Sequence, residues 1–77
     1  MKVKTLFFGQ LADTVGAHEL MFSDVTDTEA LKARLIAAHP ALNQQVFLFS
    51  VNQDLTREKT PLHDGDEVAL LPPFQGG

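Results

Sequence analysis

One stretch of this chain carries a full set of helix signals. Thr26-Asp27-Thr28-Glu29 has the pattern of a capping box, in which the Thr26 hydroxyl accepts from the amide near Glu29 and the Glu29 carboxylate reaches back. Val25 stands just outside it as a hydrophobic staple, and Asp27 and Glu29 suit the positive end of a helix. Leu31, Leu35 and Ala38 then recur at spacings of four and three, giving one apolar face, and Pro40 stops the helix near His39. A single helix of this length covers one face of a small sheet and no more. The rest of the chain must therefore supply that sheet.

Lys2 to Phe8 is rich in strand formers, with Val3, Thr5 and Phe7 on one face and Lys2, Lys4, Leu6 and Phe8 on the other. Gly9 ends it, and Gln10 to Val15 forms a short helical segment with Leu11 and Val15 on one side, broken by Gly16. His18 to Phe22 reads as a second strand and Val46 to Val51 as a third. Asn52-Gln53-Asp54 makes a turn into a short return through Leu55 and Thr56. After the Asp64-Gly65-Asp66 turn, Glu67 to Leu71 is the last strand, closed by Pro72-Pro73. The predicted class is α+β: a mixed sheet packed against one main helix, in a single domain spanning 1–77 whose residues 72–77 project as a tail. Several strands carry large apolar groups on both phases, as in Phe7-Phe8, Phe47-Leu48 and Leu70-Leu71. We expect the Leu11 to Val15 segment to cover some of these and a partner protein to cover the remainder.

The composition removes many functions. With no cysteine there is no disulfide, thiolate metal site or cysteine nucleophile. Six basic side chains against ten acidic ones give a net charge of −4, and the basic ones are scattered, so no nucleic-acid surface is expected. No stretch approaches the roughly 20 apolar residues of a membrane span, and a cytoplasmic location is the simplest reading. His18, His39 and His63 lack metal-ligand spacing, and Asp64 and Asp66 belong to a turn before they belong to any chemistry.

What remains is the carboxyl end, Pro72-Pro73-Phe74-Gln75-Gly76-Gly77. The prolines stiffen the exit from the last strand. Gly76 and Gly77 carry no side chains, so this end fits a narrow channel in another protein. A carboxylate is a poor electrophile and needs conversion to a mixed anhydride, an acyl adenylate made from ATP. Sulfide, an enzyme cysteine or a lysine can then displace AMP to give a thiocarboxylate, a thioester or an amide. On any of these routes the chain is substrate and carrier, and the catalytic groups belong to the enzymes that grip it.

Leu6-Phe7-Phe8-Gly9-Gln10, Val51-Asn52-Gln53 and the run from Asp64 through Val68-Ala69 to Gly77 resemble the small subunit of molybdopterin synthase, the MoaD-type sulfur carriers. The resemblance implies a ubiquitin-like β-grasp fold and a non-catalytic, sulfur-donating subunit whose catalytic groups lie in the large subunit. It implies that Gly77 is adenylated by a MoeB-type E1-like enzyme using ATP, converted to a 1-thioglycine thiocarboxylate with sulfur from a donor enzyme, and inserted into a MoaE-type large subunit. There the sulfur passes to cyclic pyranopterin monophosphate to build the dithiolene of molybdopterin. No stably bound cofactor or metal is implied. Gly76, Gln75, Phe74, Pro73 and Pro72 are the tail-access residues; Phe74 stands where the family more often has a small apolar residue, and Gln75 where serine or threonine is common. The alternatives are a ThiS-like carrier for thiamine thiazole synthesis and a ubiquitin-like protein modifier.

Overall fold

The computed structural model describes residues 1–73. In chain order they form β1 (Lys2–Phe7), α1 (Gln10–Val15), β2 (Glu19–Ser23), α2 (Thr28–Ala38), a 3-10 turn (Pro40–Gln44), β3 (Leu48–Val51), β4 (Asp54–Thr56) and β5 (Glu67–Leu71). The five strands make one mixed sheet in the order β2-β1-β5-β3-β4. The first and last strands pair in parallel at its centre, with Thr5 opposite Val68 and Phe7 opposite Leu70; every other pairing is antiparallel. A parallel pair needs a long crossover, and the whole of the intervening chain provides it.

The alternation of β1 settles the layers. Val3, Thr5 and Phe7 are buried, and they cluster with Val68 and Leu70 of β5, Leu31 and Leu35 of α2, Leu11 of α1, and Leu42 and Leu62 from the connections. Helix and strand periods thus agree on one core. Ala38 departs from the expected helix face and is exposed. The chain turns at His39, and Leu42 of the 3-10 turn, fully buried, supplies the apolar group at that end.

The helix start also differs from its expected form. Asp27, not Thr26, is the N-cap: its backbone is extended and its Oδ1 accepts from the Ala30 N–H at 2.8 Å. The reason is tertiary. Leu62 N–H donates to the Thr26 carbonyl, Asp27 forms a bridge with Pro61, and Thr28 N–H donates to the Thr60 carbonyl. This pairing holds residues 26–27 extended, so the helix begins at Thr28 and Glu29 falls one place short of the reciprocal bond. Val25 is buried in the core.

The third strand is shorter than expected as well. It starts at Leu48 rather than Val46, and Val46 is 73% exposed. Its ladder partner β5 ends at Leu71, and Pro72 has no N–H to continue it, so residues 46 and 47 face no strand. The two-residue turn from β3 to β4 places Asn52 and Gln53 at φ of 50° and 73°, the left-handed geometry that matches hairpin twist.

Among the described residues two buried side-chain oxygens have no hydrogen-bond partner, Gln45 Oε1 and the hydroxyl of Thr5, which is fully buried on the inner face of β1. An unpaired buried hydroxyl costs about 1–3 kcal/mol. Thr5→Val keeps the β-branched shape and removes it, so the variant should be more stable by roughly 1 kcal/mol in urea unfolding. A loss of stability would show that the hydroxyl is satisfied in solution.

Candidate functional site

The carboxyl-terminal stem begins where the sheet is most firmly held. β5 bonds to a strand on each side, and at its end Phe8 N–H donates to the Leu70 carbonyl at 3.2 Å. Pro72 and Pro73 follow directly and are half-buried. Pro72 rests on Gly9: a Cβ added to Gly9 would lie 3.0 Å from Pro72 Cγ, and Gly9 itself has a φ of +60°. The Leu6-to-Gln10 run and the proline stem, far apart in sequence, therefore meet. The expected roles of Phe74, Gln75, Gly76 and Gly77 lie outside the described residues.

The opposite end of β5 is fastened by the two acidic turns. The Asp64 carboxylate accepts from Lys2 N–H at 2.7 Å, while Gly65, at φ +86°, donates its N–H to the Lys2 carbonyl at 2.8 Å. The Asn52 side chain donates to Asp66 Oδ1 and accepts from Glu67 N–H, each at 3.0 Å, and His63 N–H donates to Asp66 Oδ2 at 2.8 Å. Asp64 and Asp66 are thus structural, as the turn reading expects. The Asn52 amide first, and then the His63 backbone N–H, hold the Asp66 carboxyl below its ordinary value against the opposing effect of burial. A lowered carboxyl pKa in the folded state contributes stability above the unfolded carboxylate range and loses it as pH falls through the folded value. Acidification should accordingly destabilise the wild type more than Asn52→Ala, whose Asp66 has lost its main partner. Parallel stability-against-pH curves for the two would contradict this assignment.

The face of the sheet away from α2 carries an apolar surface. Leu6 lies opposite Ala69, Ala69 opposite Ser50 and Ser50 opposite Leu55, while Leu48 pairs with Leu71. Met21 sits opposite Lys4, and Phe8, Met21 and Leu55 are 46%, 56% and 52% exposed. The Leu11 to Val15 segment covers Phe7 and Leu70 on the inner phase, where Leu11 and Ala12 of α1 join the core. On the outer phase Ala69 and Ser50 are buried, while Phe8, Met21 and Leu55 stay exposed. The surface continues to Leu71, directly before the stem.

Among the described residues no group of histidine and acidic side chains is placed to hold a metal ion. His63 is largely exposed, with Nδ1 3.8 Å from Asp66 Oδ2, and His39 caps the end of α2. No described helix is long and apolar enough to cross a membrane.

Comparison with known proteins agrees with the geometry. Residues 5–77 match the ThiS family. The chain belongs to the ThiS/MoaD-type sulfur carriers. It is 42% identical over 83 residues to the molybdopterin synthase sulfur carrier subunit of Chlamydomonas reinhardtii, covering 100% of both chains. Its structure is similar to the small archaeal modifier protein 1 of Methanosarcina acetivorans, with a TM-score of 0.85 and 26% identity over 99% of this chain and 96% of the other. It is also similar to a chain in the complex of subunits 1 and 2 of the molybdopterin-converting factor from Helicobacter pylori, with a TM-score of 0.75 and 30% identity over the whole of both. The mixed sheet packed on one main helix is the ubiquitin-like β-grasp fold of these carriers.

Proposed function

We propose that this chain acts as the sulfur carrier and small subunit of a molybdopterin synthase, as one domain spanning 1–77 that carries sulfur on the terminal carboxyl of Gly77. The observation that carries this reading is the end-to-end 42% identity with a molybdopterin synthase sulfur carrier subunit. An activating enzyme of the MoeB type joins the Gly77 carboxylate to AMP from ATP and releases pyrophosphate. Sulfide from a donor enzyme then displaces AMP, leaving a thiocarboxylate. In the large subunit the sulfur forms a bond to a carbon of the pterin precursor with loss of that carbon's oxygen substituent, and hydrolysis of the resulting thioester leaves the sulfur on the pterin as a thiolate and regenerates the carboxylate. The catalytic groups are those of the partner enzymes, and this chain's part is to present a slender acyl group at a fixed distance from a docked body. The firmly held β5 and the Pro72-Pro73 stem support that role, with Phe74, Gln75 and Gly76 threading the channel.

The apolar sheet face from Leu6 to Leu71 is the natural docking surface for the large subunit, a view supported by the likeness to a subunit of the Helicobacter pylori complex. Two small and two large chains are expected to form a heterotetramer, acting in the cytoplasm. Light scattering of the mixed proteins at micromolar concentration tests the assembly, and Leu6→Asp should prevent it by burying a charge in the interface. Absence of a complex with the wild type would count against the reading, as would unimpaired assembly of Leu6→Asp.

The likeness to an archaeal modifier favours one second reading, in which the activated carboxyl acylates a lysine amine. Recovery of the chain in amide linkage to lysine under activating conditions, with no sulfur gained, would select it.

A further inference from the structure

We propose that the groove between α2 and the β3–β4 hairpin is a second docking site, taking an acidic protein segment that carries large apolar side chains. The groove has a volume of ≈ 560 Å³ and a floor built from Ile36, Phe47 and Phe49, which pack on the core from below. The two rings meet edge to face at 5.5 Å. Three of the chain's six cations, Lys32, Arg57 and Lys59, line it against two of its ten carboxylates, Glu29 and Glu58. On a molecule of net charge −4 the lining of this groove has cations in excess of carboxylates by one, so an acidic segment repelled by the rest of the surface is least opposed here.

The wall bearing these cations is a built feature. Thr56 and Thr60 hydroxyls lie 2.7 Å apart, Thr60 N–H donates to Thr28 Oγ1 at 3.0 Å, and Thr28 N–H returns a bond to the Thr60 carbonyl at 3.0 Å. The loop holding Arg57 and Lys59 is thereby pinned to the first turn of α2. Lys32 Nζ stands 5.7 Å from the centre of the Phe47 ring, so charge and apolar floor adjoin. Lys59 faces Asp27 at 4.0 Å, whereas Arg57 has no ion-pair partner among the described residues. Glu29 and Glu58 on the same rim disfavour a uniform polyanion such as nucleic acid and fit a segment that alternates acidic with apolar groups. The groove lies beside α2 and its lining includes neither Leu6 nor Leu71, with Leu48, the ladder partner of Leu71, at its border with the outer face.

A titration of the ¹⁵N-labelled full chain with a short synthetic peptide of alternating Asp and Leu tests this, with the Lys and Leu counterpart as control. The proposal expects saturable shifts at Lys32, Ile36, Phe47, Phe49 and Arg57, weakened by salt, and little response to the control. Combining Lys32→Glu with Arg57→Glu should weaken binding roughly tenfold, while Lys2→Glu, the same charge change elsewhere, should not. The same titration shows whether the double variant keeps the wild-type fold. No saturable shift up to millimolar peptide, equal binding of the control, or shifts at Leu6 and Leu71 instead would overturn it. No sulfur chemistry enters the test, so its outcome is independent of the carrier function.

Discussion

Adding one residue after Gly77 should leave the protein folded and abolish sulfur loading. The extension moves the reactive carboxyl by up to roughly 3.5 Å along the chain, and displacement of a reacting group by about 1 Å costs on the order of 10²-fold in rate. Removing Gly77 withdraws the carboxyl by the same distance and should fail in the same way. Neither change reaches the core, whose last members are Val68 and Leu70, nor the Leu48 to Leu71 pairing that ends the ladder. Urea midpoints should therefore match the wild type while product formation falls below detection. A stability change as large as the activity loss would mean that the tail has a structural part in the fold. Gly76→Ala is the gentler variant: its methyl group narrows the passage without moving the carboxyl, and a partial loss is expected.

Leu35→Ala should lower stability by about 2–4 kcal/mol. Leu35 is fully buried on α2 among Val3, Phe7, Leu31 and Val68, and truncation there removes contacts and leaves a cavity that a closely packed interior fills only in part. A chain of this length has a total stability of about 4–11 kcal/mol, so the loss is a large share of the whole. Since α2, α1 and the connections share one core with the sheet, the variant should also unfold in a single transition at lower denaturant. A change below about 0.5 kcal/mol would remove Leu35 from the core.

Both expectations rest on features legible in the sequence, and the places where the sequence misleads share one cause. Leu31 and Leu35 follow from periodicity, because a helix buries the stripe its spacing defines. The helix cap does not, because Thr26 and Asp27 are held extended by pairing with Thr60 to Leu62, a contact across more than thirty positions that no local pattern reports. The same holds for β3: Val46 and Phe47 have strand character, yet a strand needs a partner, and Pro72 ends the partner strand first. Leu42 was within reach, since Pro40 at the start of the 3-10 turn signals a new turn rather than a loop. At the site, the stem was readable from Pro72-Pro73, but its seat on Gly9 was not, because it depends on a meeting of distant residues. The surplus of apolar groups on both strand phases is legible in the sequence, and Phe8 on the outer phase is exposed. Which phase α1 covers depends on the three-dimensional path.

The central claim is that sulfur is carried by the terminal carboxyl of Gly77, and fragment mass spectrometry tests it most directly. Wild type and the one-residue extension are incubated side by side with the activating enzyme, ATP and a sulfur source, and each is then fragmented to locate any added mass. The wild type should exchange one oxygen for sulfur on its terminal glycine and lose it again on addition of the large subunit and pterin precursor, while the extended chain gains nothing. Sulfur found elsewhere in the wild type, or loading of the extended chain at the wild-type rate, would contradict it.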